Sequence, residues 1–448
     1  MSFPRYPVYR QSAVEWLGEV PQHWKVLRLK HTCEVFPSNV DKHARDDEPP
    51  VRLCNYTDVY YNERITADMP FMEATASEEQ IVRFTLKGGD TIVTKDSETA
   101  DDIAIAAYVP KDLPGVVCGY HLSMVRPRGE TCGAFVKRLF DSIYAKAKFE
   151  VTANGLTRVG LGQYALDNVE LPFPPAEEQQ TIADFLDRET AKIDALVEEQ
   201  KRLIELLKEK RQAVISQAVT KGLDPNVPMK ESEVEWLGEV PAHWQVLPCR
   251  AIVSEKTAKN DGAACSDYLS LMANVGVIPY AEKGDVGNKA PEDLSKCKLV
   301  AAGDIVINSM NYGIGSFGLS NLNGVCSPVY IVLRPIDEMV ETRFALRIFA
   351  HRTFQTYAQS FGNGILAHRA AIGWDTLKSI GVPVPPLDEQ RLILEHVDAS
   401  TARFEALIVE AEAGVELLME RRAALISAAV TGKIDVRGLA PQPEGAGA

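Results

Sequence analysis

Apolar residues recur every seven positions along two long stretches of this chain. In the first, Leu186, Ile193, Leu207 and Val214 mark the period, with the polar Gln200 in the same register; in the second, Val397, Phe404, Ala411, Leu418 and Leu425 do. Leu196, Val197, Leu203 and Ile204, and then Leu407, Ile408 and Val415, widen each stripe to a, d and e positions. A heptad pattern of this kind predicts a helix with a coiled-coil seam. Both runs start at a Pro-Pro pair, Pro174–Pro175 and Pro385–Pro386, and proline is tolerated at a first turn but not deeper in a helix. About 40 residues at 1.5 Å each give a rod of about 60 Å, longer than an ordinary domain needs. The Glu, Lys and Arg on the other faces read as a solvated surface, and Ser400 and Gly414 loosen the second seam.

The two helical stretches are copies. Setting Pro175 on Pro386 fixes an offset of 211 residues and places Ser216 on Ser427 and Thr220 on Thr431. A second repeated element precedes each variable segment: VEWLGEVPQHWKVL from Val14 returns as VEWLGEVPAHWQVL from Val234, differing at two of fourteen positions. The chain is a tandem duplication. Between the repeats, residues 31–173 and 251–384 share a skeleton but little sequence. GDTIV at 89–93 parallels GDIVI at 303–307, and GVVCGYHLSMVRP ending at Pro127 parallels GVCSPVYIVLRP ending at Pro335. Short β-rich runs broken by Gly, Asn and Pro predict mixed α/β domains with a curved sheet, each with a helix, Phe135 to Phe149 and Arg343 to Phe361. The resulting order is a repeat segment (1–30), a variable domain (31–173), a helix (174–222), a linker with the second repeat (223–250), a second variable domain (251–384), a second helix (385–433) and a disordered tail (434–448). The fold class is α+β.

Composition changes the picture little. At 448 residues, 46% hydrophobic and 25% charged, the chain fits two or more ordinary folded domains. It has no run of eighteen apolar residues and no apolar segment at the N-terminus, so the expectation is a cytoplasmic protein that is neither secreted nor inserted in a membrane. Eight scattered cysteines without a CxxC pair predict reduced thiols and no metal. The net charge of −14 argues against one broad basic field for nucleic acid but leaves room for a local basic groove. The first variable segment is acidic around DDEPP, ASEEQ and ETADD, whereas residues 251–380 carry 12 basic and 12 acidic side chains.

The order of repeat, variable domain and long helix, twice over, resembles the specificity subunit of type I restriction-modification systems. The resemblance rests on VEWLGEVPxHW, on the PPxxEQ helix starts at Pro174–Gln179 and Pro385–Gln390, and on the helix ends ISQAVTKG and ISAAVTGK. It implies two target recognition domains, each reading one half of an asymmetric bipartite site in double-stranded DNA. The two helices would pack antiparallel as a spacer with internal pseudo-twofold symmetry, and the repeats would hold two methyltransferase subunits. Restriction subunits would complete the nuclease. Adenine-N6 methylation with S-adenosylmethionine, and translocation and cleavage with ATP and Mg, would belong to those partners, with no cofactor and no catalysis in this chain. The absence of GxxxxGK[ST], of an Asn-Pro-Pro-aromatic motif, of GxSxG and of HExxH agrees with that division. NSMNYG at 308–313 lacks the prolines and reads as a loop.

Base reading requires paired donors and acceptors delivered into the major groove, Arg or Lys for guanine and Asn or Gln for adenine. The first domain offers Thr94 and Lys95 after the Gly89 strand, then Asn154, Thr157, Arg158 and Gln163. The second offers Asn308, Asn311 and Tyr312, then Asn363, His368 and Arg369. Arg158 and Arg369 lead, lying in Gly-bounded polar loops at matching points of the two copies. Asn154 and Asn363 flank glycines and also suit turns, Lys95 can pair with Asp96, and His368 reads as packing. Trp16, Trp24, Trp236 and Trp244 read as anchors where each repeat docks on the long helices. Two other functions fit parts of the pattern: a coiled-coil interaction scaffold that does not read DNA, and a stand-alone nuclease or methyltransferase, which the missing motifs disfavour.

Overall fold

The computed structural model describes residues 3–155, 157–286, 289–362 and 371–439. It divides into two compact units, Met1–Lys201 with Glu412–Ala448, and Arg202–Ala411. Each unit therefore combines one repeat segment and one variable domain with a portion of both long helices.

In the first unit a hairpin, Tyr9–Gln11 against Glu19–Pro21, leads into strand Lys25–Arg28, which pairs antiparallel with Glu170–Phe173. The chain thus enters and leaves its variable domain side by side, and the exit strand runs directly into the long helix Ala176–Lys221. The second unit repeats this with Met229–Glu231, Glu239–Pro241 and the pairing of Gln245–Pro248 with Gly381–Val384, ahead of helix Leu387–Val430.

Each variable domain is built on a four-stranded antiparallel sheet of the same order. In the first it runs Cys33–Pro37, Leu122–Pro127, Thr91–Thr94, Ala106–Tyr108; in the second, Val253–Glu255, Tyr330–Pro335, Ile305–Asn308, Phe317–Leu319. The two GD motifs open the third strand of each sheet. Asp90 is buried, and Arg126 donates to both its oxygens at 2.8 and 2.7 Å. Asp304 is likewise buried, held by Arg334 at 2.6 Å and Lys256 at 2.8 Å. Around this frame the copies diverge. The first domain adds a three-stranded sheet, Val116–Cys118, Pro50–Cys54 and Met72–Thr75; the second adds the hairpin Leu269–Met272 and Gly276–Pro279 and the pair Lys298–Val300 and Gly324–Cys326.

The single helix expected in each domain is two helices, Gly133–Asp141 and Ile143–Thr152, and Thr342–Ala350 and Arg352–Ser360. Ser142 and His351 break them by adopting extended backbone, and the Ser142 hydroxyl caps the new helix at the Ala145 amide. A polar N-cap of this kind restarts a helix in a new direction.

Both long helices form, with 46 and 44 residues. Within the second unit Arg211 pairs with Glu405, and Ile204 packs with Ile408 and Ala411, so the two helices run antiparallel there. The seam is narrower than the a/d/e stripe. Ile193, Val197, Ile204 and Ile408 are buried, whereas the d-position leucines Leu196, Leu203 and Leu407 are exposed. An a/e spacing of four and three residues already makes a complete seam, which turns the d positions outward. Each helix ends near a glycine in left-handed backbone, Gly222 (φ 77°) and Gly432 (φ 72°), the usual stop. Residues 434–439 do not belong to a disordered tail: Val436 is fully buried, and the Asp435 amide donates to the Pro4 carbonyl at 2.8 Å.

Candidate nucleic-acid interface

In the first domain the short strand Asp96–Ser97 pairs with Val159–Gly160. This brings the loop that follows the GD strand against the loop that carries Arg158. Asn154 and Gly160 exchange backbone hydrogen bonds at 3.0 and 2.8 Å, and the turn between them needs Gly155, where a Cβ would lie 1.8 Å from the Arg158 carbonyl oxygen. The backbones of Lys95 and Asn154 therefore meet at Gly160, with Thr157 and Arg158 in the turn beside them. Asn154 donates to the Thr152 carbonyl, as a turn residue does, while Thr157 and Arg158 are exposed.

Two candidates drop out. Thr94 is buried, with its hydroxyl accepting from the Ile105 amide. Gln163 points inward and donates to the Val35 carbonyl at 2.6 Å and to Asp167 at 3.0 Å. The Thr94 hydroxyl and the Gln163 amide nitrogen are engaged in fixing the loops that carry the others. The pairing also assembles residues the sequence did not single out. Asp96 accepts from Lys95 at 3.1 Å, and His121 Nδ1 lies 2.7 Å from the same oxygen. Burial opposes ionisation of Asp96, but these two partners hold its carboxyl below the usual range. Tyr120 lies against His121, and Tyr56 stacks on Tyr60 nearby in sequence.

In the second domain Asn308 is buried and accepts from the Met310 amide at 3.1 Å. Asn311 is half-buried, its backbone carbonyl accepting from Ile314 and Ser316. Tyr312 is a core residue whose hydroxyl donates to the Phe349 carbonyl, and burial pushes its phenol well above the usual value. Tyr312 thus stabilises the loop and offers no free edge to a base, whereas Asn308 spends its side-chain carbonyl on the loop and lines the cavity beside it. The loop walls a cavity of about 650 Å³ shared with Met272, Lys289, Lys296 and Tyr330. Asn363, His368 and Arg369 lie outside the described residues.

The repeats dock these domains through a shared device. Glu178, from the first PPxxEQ, accepts from Tyr6 at 2.6 Å and from the indole of Trp24 at 3.0 Å, and its other oxygen lies 2.8 Å from His23. The adjacent Gln179 accepts from the Cys132 amide and donates to the Pro174 carbonyl. In the second copy Glu389 meets His243 at 2.8 Å, and Gln390 accepts from the Glu341 amide. The Glu-Gln pair therefore ties helix start, repeat and variable domain together in both units. Trp24 and Trp244 are 1% exposed, as anchors should be, and Trp236 is 7% exposed, donating to the Gly381 carbonyl. Trp16 is not an anchor: it is 56% exposed, in left-handed backbone (φ 69°), with Lys148 above its ring. Ion pairs finish the docking. Glu63 binds Lys137, Arg138 and Arg422; Arg138 also reaches Asp187, and the aligned Arg347 faces Asp398.

Two unlike sheet domains, each clamped between a repeated docking segment and a long helix, define a tandem recognition protein. A family profile described as the type I restriction modification DNA specificity domain matches residues 21–206 and 263–413. The chain belongs to that family, the DNA specificity subunits of type I restriction-modification systems. The putative type I restriction enzyme MjaX specificity subunit of Methanocaldococcus jannaschii is 23% identical over 430 residues, spanning 94% of this chain and 96% of that protein. The StySPI specificity subunit of Salmonella potsdam is 20% identical over 447 residues, 95% of this chain and 92% of that protein. Two solved structures share the fold. A chain from a structure addressing complex assembly and conformational transition of the type I R-M system matches with a TM-score of 0.65 at 17% identity, covering 92% of this chain and 98% of that chain. The HsdS subunit from Thermoanaerobacter tengcongensis matches with 0.53 at 18% identity and the same coverage.

Proposed function

We propose that this chain chooses the DNA sequence on which a type I restriction-modification complex acts, with residues 31–173 reading one half of an asymmetric bipartite site and residues 251–384 the other. The observation that carries this reading is that one sheet order underlies both variable domains while the loops after the matching third strands differ, Lys95 and Asp96 in one and Ser309 and Met310 in the other. A common frame with unlike loops is what an asymmetric target asks for.

One turn of B-DNA spans roughly 34 Å, and helices of 46 and 44 residues are long enough to set a spacing of that order. The exposed leucines Leu196, Leu203 and Leu407 give the helices apolar surface for two methyltransferase subunits, to which restriction subunits add the nuclease. S-adenosylmethionine, ATP and Mg serve those partners, and this chain contributes no catalytic group. The complex works in the cytoplasm on double-stranded DNA. With a net charge of −14 on the chain, part of the phosphate neutralisation falls to the partners.

The test is a complex reconstituted with cognate methyltransferase subunits and assayed by methylation-sensitive sequencing. Replacing residues 31–173 by another first domain is expected to change one half of the methylated motif and leave the other half intact. An unchanged motif overturns the assignment.

A further inference from the structure

Two acidic side chains in the first variable domain lie on either side of the same strand and are used in opposite ways. Asp90 is 1% exposed and both its oxygens accept from Arg126, as a structural acid should. Asp96 is 24% exposed at the side chain, and its two partners, Lys95 and His121, both engage Oδ2. No hydrogen bond reaches Oδ1 among the described residues. Gly160 stands opposite Asp96 in the strand pairing and has no side chain to cover that oxygen.

The surroundings offer cations to a polyanion as well as the carboxylate. Lys95 and the exposed Arg158 stand beside Asp96, ahead of the acids Glu98, Asp101 and Asp102, and the partly exposed ring of Tyr120 lies 3.8 Å from that of His121. A fixed carboxylate with one open acceptor complements a base that presents an amine in the major groove, whereas Arg and Lys complement guanine. At the aligned place in the second domain stands Met310, which is exposed and cannot accept such a bond.

We propose that Asp96 is a base-reading residue of the first domain, its Oδ1 accepting a hydrogen bond from an exocyclic base amine, cytosine N4 or adenine N6. Lys95 and His121 are positioning residues that hold the carboxylate by its other oxygen. This inference rests on the function proposed above and names a contact within it.

The test uses the full chain assembled with its methyltransferase subunits and a library of random duplexes, with bound sequences read by sequencing. Asp96→Ala is expected to lower discrimination about tenfold or more at a single position of one half-site, leaving the other half-site as in the wild type. Asp96→Asn keeps the shape but adds donor hydrogens, and is expected to shift the preferred base at that same position. His121→Gln, which can still donate to Oδ2, is expected to preserve the preference, and His121→Ala to blur it. The inference falls if both Asp96 variants select the wild-type motif, or if they weaken both half-sites equally. A wild-type complex that enriches no motif would instead overturn the underlying assignment.

Discussion

In the first copy of the repeat, Glu178 gathers Tyr6, His23 and Trp24. In the second, Glu389 keeps only the histidine: Asn226 stands where the aligned copies put Tyr6, and the buried indole nitrogen of Trp244 has no hydrogen-bond partner among the described residues. The other tryptophan pair reverses the balance. Trp236 is seated edge-on against Phe354 and donates to the Gly381 carbonyl. In the first copy Ala145 occupies the place of Phe354, and Tyr144 donates to the matching Glu170 carbonyl at 2.8 Å. Trp16 is left outside. A side chain kept in both copies of a repeat can thus anchor one and decorate the other, because its role is decided by what the diverged domain puts beside it.

The tryptophan pair supplies the largest expected effect. Trp236→Ala empties a buried site and is expected to destabilise the second unit by about 3–5 kcal/mol. Trp16→Ala, at an exposed position, is expected to stay within about 0.5 kcal/mol. Hydrogen exchange resolved by unit measures both in the intact chain. Equal losses would mean that Trp16 packs in solution and that the contrast is unreal.

The glutamate pair comes next, with the opposite polarity. Glu178→Ala leaves the Tyr6 hydroxyl and the Trp24 indole without their acceptor, a cost of roughly 1–3 kcal/mol for buried donors. Glu389→Ala removes only a contact to the half-exposed His243, so about 1 kcal/mol or less is expected. Both residues lie in the first turn of a long helix, so any helix-dipole contribution cancels in the comparison. Denaturant titration of the two variants checks the ranking.

How much of this could be read in the sequence follows from which interactions have a period. The duplication, the two helices and the strands after each GD motif announce themselves through spacing alone. The choice of e over d at the seam does not, since Leu196 and Val197 are equally apolar and only the facing helix decides which is buried. Nor does a break at Ser142 show within an otherwise amphipathic run. At the candidate interface the sequence named Lys95 and Arg158, which strand pairing does bring together. It also named Thr94, Gln163 and Tyr312, because a polar side chain beside a loop looks the same whether it faces solvent or caps a backbone group. In the sequence Asp96 reads only as a neutraliser of Lys95; its open oxygen depends on His121 and Gly160, far away in sequence.

Acid should separate the two units through groups that only one of them has. His351 stands where the first copy has Ser142; it is buried against Ser216 and Trp236, and burial pushes its imidazole below the ordinary 6.5. The unfolded chain takes up that proton first, so the stabilisation is complete above about pH 6.5 and declines as pH falls through the lower folded value. In the first unit burial alone would raise the carboxyl of Glu63, but Lys137, Arg138 and Arg422 bring it from 4.5 down to about 2. Its contribution is complete above about pH 4.5 and is lost as pH falls toward 2. Unit-resolved hydrogen exchange from pH 7 to pH 3 is therefore expected to show the second unit weakening before the first. His351→Asn should remove the early loss and Glu63→Gln should flatten the late one. If His351→Asn left the profile of the second unit between pH 7 and 5.5 unchanged, the imidazole would not be the group that distinguishes them.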